Sequence, residues 1–494
     1  MTKAFSSGIP KRDEPNERPH KQRKGENNMK KTSKIVVMTV IVALLFCSTF
    51  AFVGCIVETK ETFQAFQRMY TANEWKKILE SSFAQLNTVD HGEIAEKRKT
   101  EDITLDERFV RAVNSFAYSL YAELQNSNGA YDENFFFSPF GSYSNLTMLS
   151  LAAHNDVVDP LFDGVLGLDR STRKEQFARA YKKDYFINDD GTLQIYNGSF
   201  QTSFFKNYPE YARELAECYC EAFQANFLSD DDVSKILEWI DARMGETGMM
   251  TKEDLELQTD TVLLMLTLVY FKNGWSSNFA TSDSYEDTFY GKTEKRVTYM
   301  KHTYVGRVYD HGDYVTCYDY YKNGLKVKYV VSKEREGDIF ALTKGVDLLE
   351  KEDEKRIANE GNARGRYAPV ELSVPKFTAE YKIDLTAALR AIGLDYIFDK
   401  SKQYDCFNNV FTDTPEEFYS YVQYTKQKNK ISFDESGTTA KSLTASMLIG
   451  GCSAAEPSYR GDAYVVKLEN PFIYIIYDSN DLPLFIGHVT MPNG

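Results

Sequence analysis

The sequence predicts an α+β protein with large sheets. Stretches with apolar residues at helical spacing crowd the early part of the globular region, and strand-like stretches dominate its later part. The chain carries 33 Tyr and 33 Phe, side chains that suit pleated, half-buried surfaces. A long stretch of small, nearly uncharged residues, Glu435 to Gly461 (ESGTTAKSLTASMLIGGCSAAEPSYRG), lies between two apolar strand-like segments. Loops are usually short with a polar tip. Here Thr438, Ala440, Ser442, Thr444 and Ser446 alternate instead, so in an extended chain they share one smooth face.

In chain order, residues 1–34 are polar and basic, with ten Lys or Arg against four acids. Residues 35–57 (Ile35 to Val57) then carry no charge, a length that can span a bilayer. With the basic flank before this segment, the large C-terminal part is expected outside the cytoplasm. Two readings of residues 35–57 stay open. One is a transmembrane signal anchor, with residues 1–34 cytoplasmic. The other starts translation at Met29, so that MKKTSKIVVMTVIVALLFCSTFAFVGC is a secretory signal. Its end, Phe52-Val53-Gly54-Cys55, resembles a bacterial lipoprotein cleavage box, with Cys55 as the lipidation candidate and Phe52 in place of the expected Leu. Both place the domain at the cell surface or beyond. Residues 58–104 are charged and mixed, with helical stretches such as EWKKILESSFAQL, and are read as a helical stalk or linker.

The globular domain is expected over 105–494. FVRAVNSFAYSLYAELQ is a helix, ENFFFSPFGS a short strand and turn, and YSNLTMLSLAAH a buried helix. LQIYNGSF is a strand, YPEYARELAECYCEAF an amphipathic helix, and SKILEWIDARM another helix. TVLLMLTLVYFKNGW is a continuous apolar run ending at a turn, the pattern of a central strand. PVELSVPKFTAEYKIDL alternates as one strand and leads into the helix LTAALRAIG. YVVKLENPFIYIIYDSNDLPLFIGHVTMP reads as a strand and then a hairpin turned at Asp478 to Asp481.

Composition narrows the function. With 494 residues and 43% apolar content there is ample core. A net charge of -14 repels phosphate backbones, which argues against nucleic-acid binding. The seven cysteines suit neither a disulfide scaffold nor a zinc site. Cys218 and Cys220 form a C-x-C, read as ordinary buried thiols. No H-E-x-x-H, Walker loop or nucleophile elbow is present. No enzyme activity, cofactor or metal is expected. Asn145-Leu146-Thr147 and Asn197-Gly198-Ser199 are glycosylation sequons, the first inside an apolar helix.

Several short motifs resemble the serpin family, in the family's order over about residues 105 to 494. They are Phe137-Ser138-Pro139, Tyr270-Phe271-Lys272 with Trp275, Val374-Pro375-Lys376-Phe377, Asn470-Pro471-Phe472, Leu484-Phe485-Ile486-Gly487 and Glu435-Ser436-Gly437-Thr438. The resemblance implies a serpin-like fold with large, mostly antiparallel sheets, N-terminal helices and an exposed reactive loop. It also implies a monomeric suicide inhibitor of an endopeptidase, serine or papain-like cysteine. The protease cleaves the loop and stays acyl-linked while the freed loop enters the central sheet as a new strand, a strain-release switch. The alternative is a non-inhibitory binding protein whose loop is only a substrate.

On this resemblance Glu435, Gly437, Thr438, Ala440 and Ser442 form the loop hinge, with Lys441 and Leu443 departing from the family's Ala-rich run on the other face. Two scissile bonds stay open. Counting sixteen residues from Glu435 gives Gly451–Cys452, and counting back from Asn470-Pro471-Phe472 gives Arg460–Gly461. Ser138, Thr267, Trp275 and Gln427 belong to the region where the sheet opens. There Gly141 stands where a second Ser is usual, Thr267 for the usual Asn and Gln427 for the usual His. Thr267 and Gln427 each donate and accept, so the two can pair with each other. His488 stands for the usual Arg or Lys after Gly487.

Overall fold

Local signals set the first elements. In the computed structural model the Ser138 hydroxyl caps the helix Pro139–Ala152 by accepting from the Gly141 amide, and Pro139 opens its first turn. The structure describes residues 76–77, 79–101, 103–127, 133–245, 247–359, 367–440 and 463–493. All of these fall within one unit, Tyr70–Gly494. The basic segment 1–34, the apolar segment 35–57 and Cys55 lie outside the described residues, among which no helix is long and apolar enough to cross a membrane.

β1 (Ala84–Gln85) and α1 (His91–Thr100) come first, then α2 (Glu107–Ser127), β2 (Phe135–Phe137), α3 (Pro139–Ala152), α4 (Asp159–Leu166) and α5 (Arg170–Asp184). β3 (Phe186–Asn188), β4 (Gly191–Thr202), α6 (Pro209–Glu217), β5 (Cys220–Ala225), α7 (Asp230–Met244) and α8 (Lys252–Leu255) precede β6 (Leu263–Asn273). The rest is mostly strand: β7 (Tyr285–Tyr290), β8 (Glu294–Asp310), β9 (Tyr314–Tyr320), β10 (Lys326–Ser332), β11 (Tyr367–Pro375) and β12 (Phe377–Asp384). β13 (Lys426–Asp434), β14 (Gly437–Ala440), β15 (Tyr464–Lys467), β16 (Phe472–Tyr477) and β17 (Pro483–Val489) complete the order.

Two sheets result. The first runs β1-β5-β4-β6-β14-β13-β12, with β3 beside β4. The second runs β15-β11-β8-β9-β10-β16-β17-β2, with β7 beside β8. Among the described pairings of these strands, β4–β5 and β11–β15 are parallel and the rest antiparallel. Every residue of β16 and β17 is buried, and α3 packs against both β6 and β17, between the sheets. The fold is α+β, as the early helices and late strands imply.

Two sequence expectations change. The run PVELSVPKFTAEYKIDL is two strands, not one: β11 joins the second sheet and β12 the first, with the break at Lys376. Alternation survives a corner because each half keeps its own buried face. The helix expected over YPEYARELAECYCEAF stops at Glu217. Tyr219 takes a positive φ of 57°, and Cys220–Ala225 continues as β5 alongside β4. Burial pushes the Cys218 thiol up to about 12 and holds Cys220 well above the usual thiol range, so both stay protonated and inert.

Candidate functional site

The hinge expected at Glu435–Thr438 sits in the middle of the first sheet. β14 runs antiparallel to β6 on one side and β13 on the other, with Thr438 opposite both Asn273 and Phe433. Thr439 lies opposite Lys272 and Ser432, and Ala440 opposite Phe271. Among the described residues no ladder pair joins β6 directly to β13; their shared partner is β14. This seam is the candidate site.

At its upper end the seam is tightly built. Gly437 holds φ at 148°, and a Cβ there would fall 2.1 Å from the Asn273 carbonyl oxygen, so only glycine fits. Thr438 is fully buried, its hydroxyl 2.7 Å from the Tyr321 hydroxyl. Burial holds the Tyr321 phenol well above its usual range, so it remains a neutral donor and acceptor. Tyr321 stacks on Trp275 at 4.7 Å and 16°. The Trp275 indole N–H donates to the Asp434 carbonyl at 2.8 Å, at the turn into the hinge. Glu435 accepts from the Ser284 hydroxyl at 2.7 Å and from Lys376 Nζ at 3.0 Å. Partial burial opposes its ionisation, but Ser284, its own backbone N–H and Lys376 outweigh this and hold the carboxyl below its usual range.

Lower down, two polar groups line the two lips without meeting. On β13, the Gln427 side-chain oxygen accepts from the Ser138 amide at 3.0 Å. Its amide donates to the Ser138 carbonyl at 2.9 Å and to the Ser142 hydroxyl at 2.8 Å. The Ser138 hydroxyl donates to the Leu484 carbonyl at 2.7 Å. On β6, the Thr267 hydroxyl donates to Asn197 Oδ1 at 2.8 Å, and the Ser144 hydroxyl donates to the same oxygen at 2.8 Å. The Thr267–Gln427 pair is therefore absent. Each side chain is satisfied by α3 or β4 on its own side, and β14 separates the strands that carry them. The buried Asn197 amide nitrogen finds no acceptor. Gly141 also has a physical reason: a Cβ would meet the Ser138 hydroxyl at 2.9 Å and Val269 at 3.3 Å.

Asn197, Ser142, Ser144 and Tyr321 escaped the sequence reading. Asn197 drew attention only as a sequon, yet it is buried. Nothing in the sequence signals the other three, because their roles depend on which strands become neighbours. His488 is buried, stacked on Phe135 at 5.3 Å, with Nε2 3.1 Å from the Glu133 carbonyl. Ser442, Gly451, Cys452, Arg460 and Gly461 lie outside the described residues.

Fold and hinge together define a protein whose main sheet takes part of its own loop as a strand. Comparison with known proteins agrees. The family model Serpin (serine protease inhibitor) matches residues 111–492, and the chain belongs to this family. Alpha-1-antiproteinase 2 of Equus caballus is 27% identical over 396 residues, covering 76% of this chain and 85% of that protein. Serpin B7 of Homo sapiens is 23% identical over 398 residues, covering 76% and 97%. Among solved structures, the thermophilic serpin tengpin in its native state aligns with a TM-score of 0.63 at 21% identity, covering 79% of this chain and 96% of that one. Thyroxine-binding globulin in complex with thyroxine aligns with a TM-score of 0.63 at 19% identity, covering 78% and 99%. These structural likenesses speak to fold alone.

Proposed function

We propose that this serpin is an extracytoplasmic, membrane-tethered suicide inhibitor of a serine or papain-like cysteine endopeptidase. The observation that carries the reading is the seating of Gly437–Ala440 as a strand between β6 and β13, which have no direct ladder of their own. The protease nucleophile attacks the scissile carbonyl, at Gly451 or Arg460. The C–N bond breaks, and the new amine at Cys452 or Gly461 leaves with a proton. The loop stays linked to the enzyme as an ester or thioester. Continuation of β14 down the seam then competes with the water that would hydrolyse that bond. Roughly a dozen new ladder bonds at about 0.5–1.5 kcal/mol each give on the order of 10 kcal/mol. A protease domain is held by about 5–15 kcal/mol, so such a strand is able to deform it.

The register supports this reading. Residues of β14 and β6 pair at positions summing to 711, and those of β14 and β13 at positions summing to 871. Continued downward, both ladders bring Thr444 opposite Thr267 and Gln427 at once. The Thr444 hydroxyl would then join the two polar groups that the seam keeps apart. The protein acts as a monomer without cofactor, catalyses nothing, and is held at the cell surface through residues 35–57. A second reading, a binding protein whose loop is only a substrate, is favoured by Gly141, Thr267 and Gln427 standing where the family usually has Ser, Asn and His. Titration of the full chain with a panel of serine and papain-like cysteine proteases separates the two. The inhibitor reading expects an SDS-stable adduct with at least one, and mass spectrometry of the released C-terminal peptide identifies the bond. Simple turnover of the loop by every protease that cuts it overturns the reading. Thr438→Arg is expected to abolish the adduct while the fold persists.

A further inference from the structure

Residues 79–101 precede the region that the family model matches, yet they are built into the first sheet. β1 pairs antiparallel with β5, Ala84 opposite Gln224 and Gln85 opposite Phe223, and covers that sheet edge. Phe83 stacks on Phe223 at 5.4 Å. Asn87 accepts from the Ala222 amide at 2.8 Å and donates to the carbonyls of Ala212 and Cys220 at 2.7 and 3.0 Å. Arg98 donates to the Lys183 carbonyl at 2.6 Å, fixing α1 to α5.

The same segment also grips α7. Asp232, in the first turn of α7, is fully buried. Its carboxylate accepts from the Ser81 hydroxyl, from the Ser82 backbone N–H at 3.0 Å and hydroxyl at 3.4 Å, and from the Asn226 backbone N–H at 2.7 Å. Without 79–101 this buried charge would lose donors, which is costly in a dry site. From there α7 crosses the sheet, Trp239 lying edge-on to Phe200 at 5.5 Å. The connection after α7 passes over the seam and is held on its far side. Lys382 of β12 pairs with Asp254 at 2.9 Å, and Lys426 of β13 pairs with Glu256 at 2.6 Å. Lys426 and Lys428 flank Gln427 and so lie on the opposite face of β13, the outer one. α7 and its connection are thus a strap over the level of Thr267 and Gln427, tied down at both ends.

We propose that residues 79–101 are a brace that holds the α7 end of this strap and thereby sets how fast a strand enters the seam. The proposal rests on the seam accepting a strand, as in the preceding section. A strand descending from Ala440 must pass beneath the connection. Any tie that resists lifting of α7 slows that passage without changing the inserted product.

The test uses the full chain and a labelled synthetic peptide with the sequence of residues 441–449, which continues the strand below Ala440. Its incorporation rate is followed on native gels, with no protease present. Ser81→Ala/Ser82→Ala and, separately, Phe83→Ala are expected to take up peptide about fivefold faster or more, to the same final extent. A reversible version joins β1 to β5 with Ala84→Cys and Gln224→Cys. The oxidised form is expected to take up peptide more slowly than the same protein after reduction, which separates bracing from a folding defect. Uptake at equal rates in all forms overturns the brace and leaves the seam reading intact. No uptake by any form, wild type included, overturns the seam reading itself.

Discussion

The two levels of the seam are built on opposite principles. At the top, Trp275, two residues past the end of β6, joins Tyr321, Thr438 and the Asp434 carbonyl in one connected set that ties that end to β13 and to β14. In the middle, Gln427 with Ser138 and Ser142, and Thr267 with Asn197 and Ser144, form two sets that share no bond. A joined set resists separation of the lips. Two separate sets allow it, because each strand keeps its polar partners when the lips part. The difference teaches where this sheet is fastened and where it is ready to admit more chain.

The contrast can be broken in several ways. Trp275→Ala should have the largest effect, a loss of about 3–5 kcal/mol in urea denaturation, since it empties a fully buried site that also anchors the hinge turn. Gly437→Ala should cost about 1–3 kcal/mol through backbone strain and its clash with the Asn273 carbonyl, and should detach β14. Hydrogen exchange at Thr438 and Thr439 would rise with it.

Double-mutant cycles sharpen the comparison directly. Tyr321→Phe with Thr438→Val should show coupling of about 0.5–3 kcal/mol, whereas Thr267→Val with Gln427→Leu should be additive within about 0.5 kcal/mol. Strong coupling in the second cycle would contradict the separation of the lips. The smallest effect concerns Glu435. Its carboxyl is held below the usual range in the folded protein, so its contribution is present above the unfolded carboxylate pKa and is lost as pH falls through the folded value. Glu435→Gln should flatten the acid limb of a stability–pH curve by lowering stability slightly at neutral pH while leaving the acid end nearly unchanged.

Much of the fold was legible because its signals are local. Ser138-Pro139 starts α3, the apolar run Leu263–Asn273 is the central strand β6, and Asp478 to Asp481 turn the last hairpin. The alternating small residues after Gly437 marked the loop, and the structure seats their first members in the sheet. What stayed hidden was non-local. Pairing of Thr267 with Gln427 looked chemically sound, but Asn197 and Ser142 are nearer, and no sequence pattern reports that β4 and α3 bring them there. The binding of residues 79–101 to β5 was hidden for the same reason. Its two-residue strand is too short for periodicity to reveal, and its hold comes from Ser81 and Ser82 meeting Asp232 of α7 and Asn87 meeting β5, both far away in sequence.

The central claim is that the seam between β6 and β13 admits the rest of the loop. Its most direct measurement is urea denaturation of the full chain before and after a single protease cut within residues 447–461, with both fragments retained. A strand gained by the sheet predicts a cut protein more stable by on the order of 10 kcal/mol. A denaturation midpoint that stays put or falls after cleavage would contradict the account.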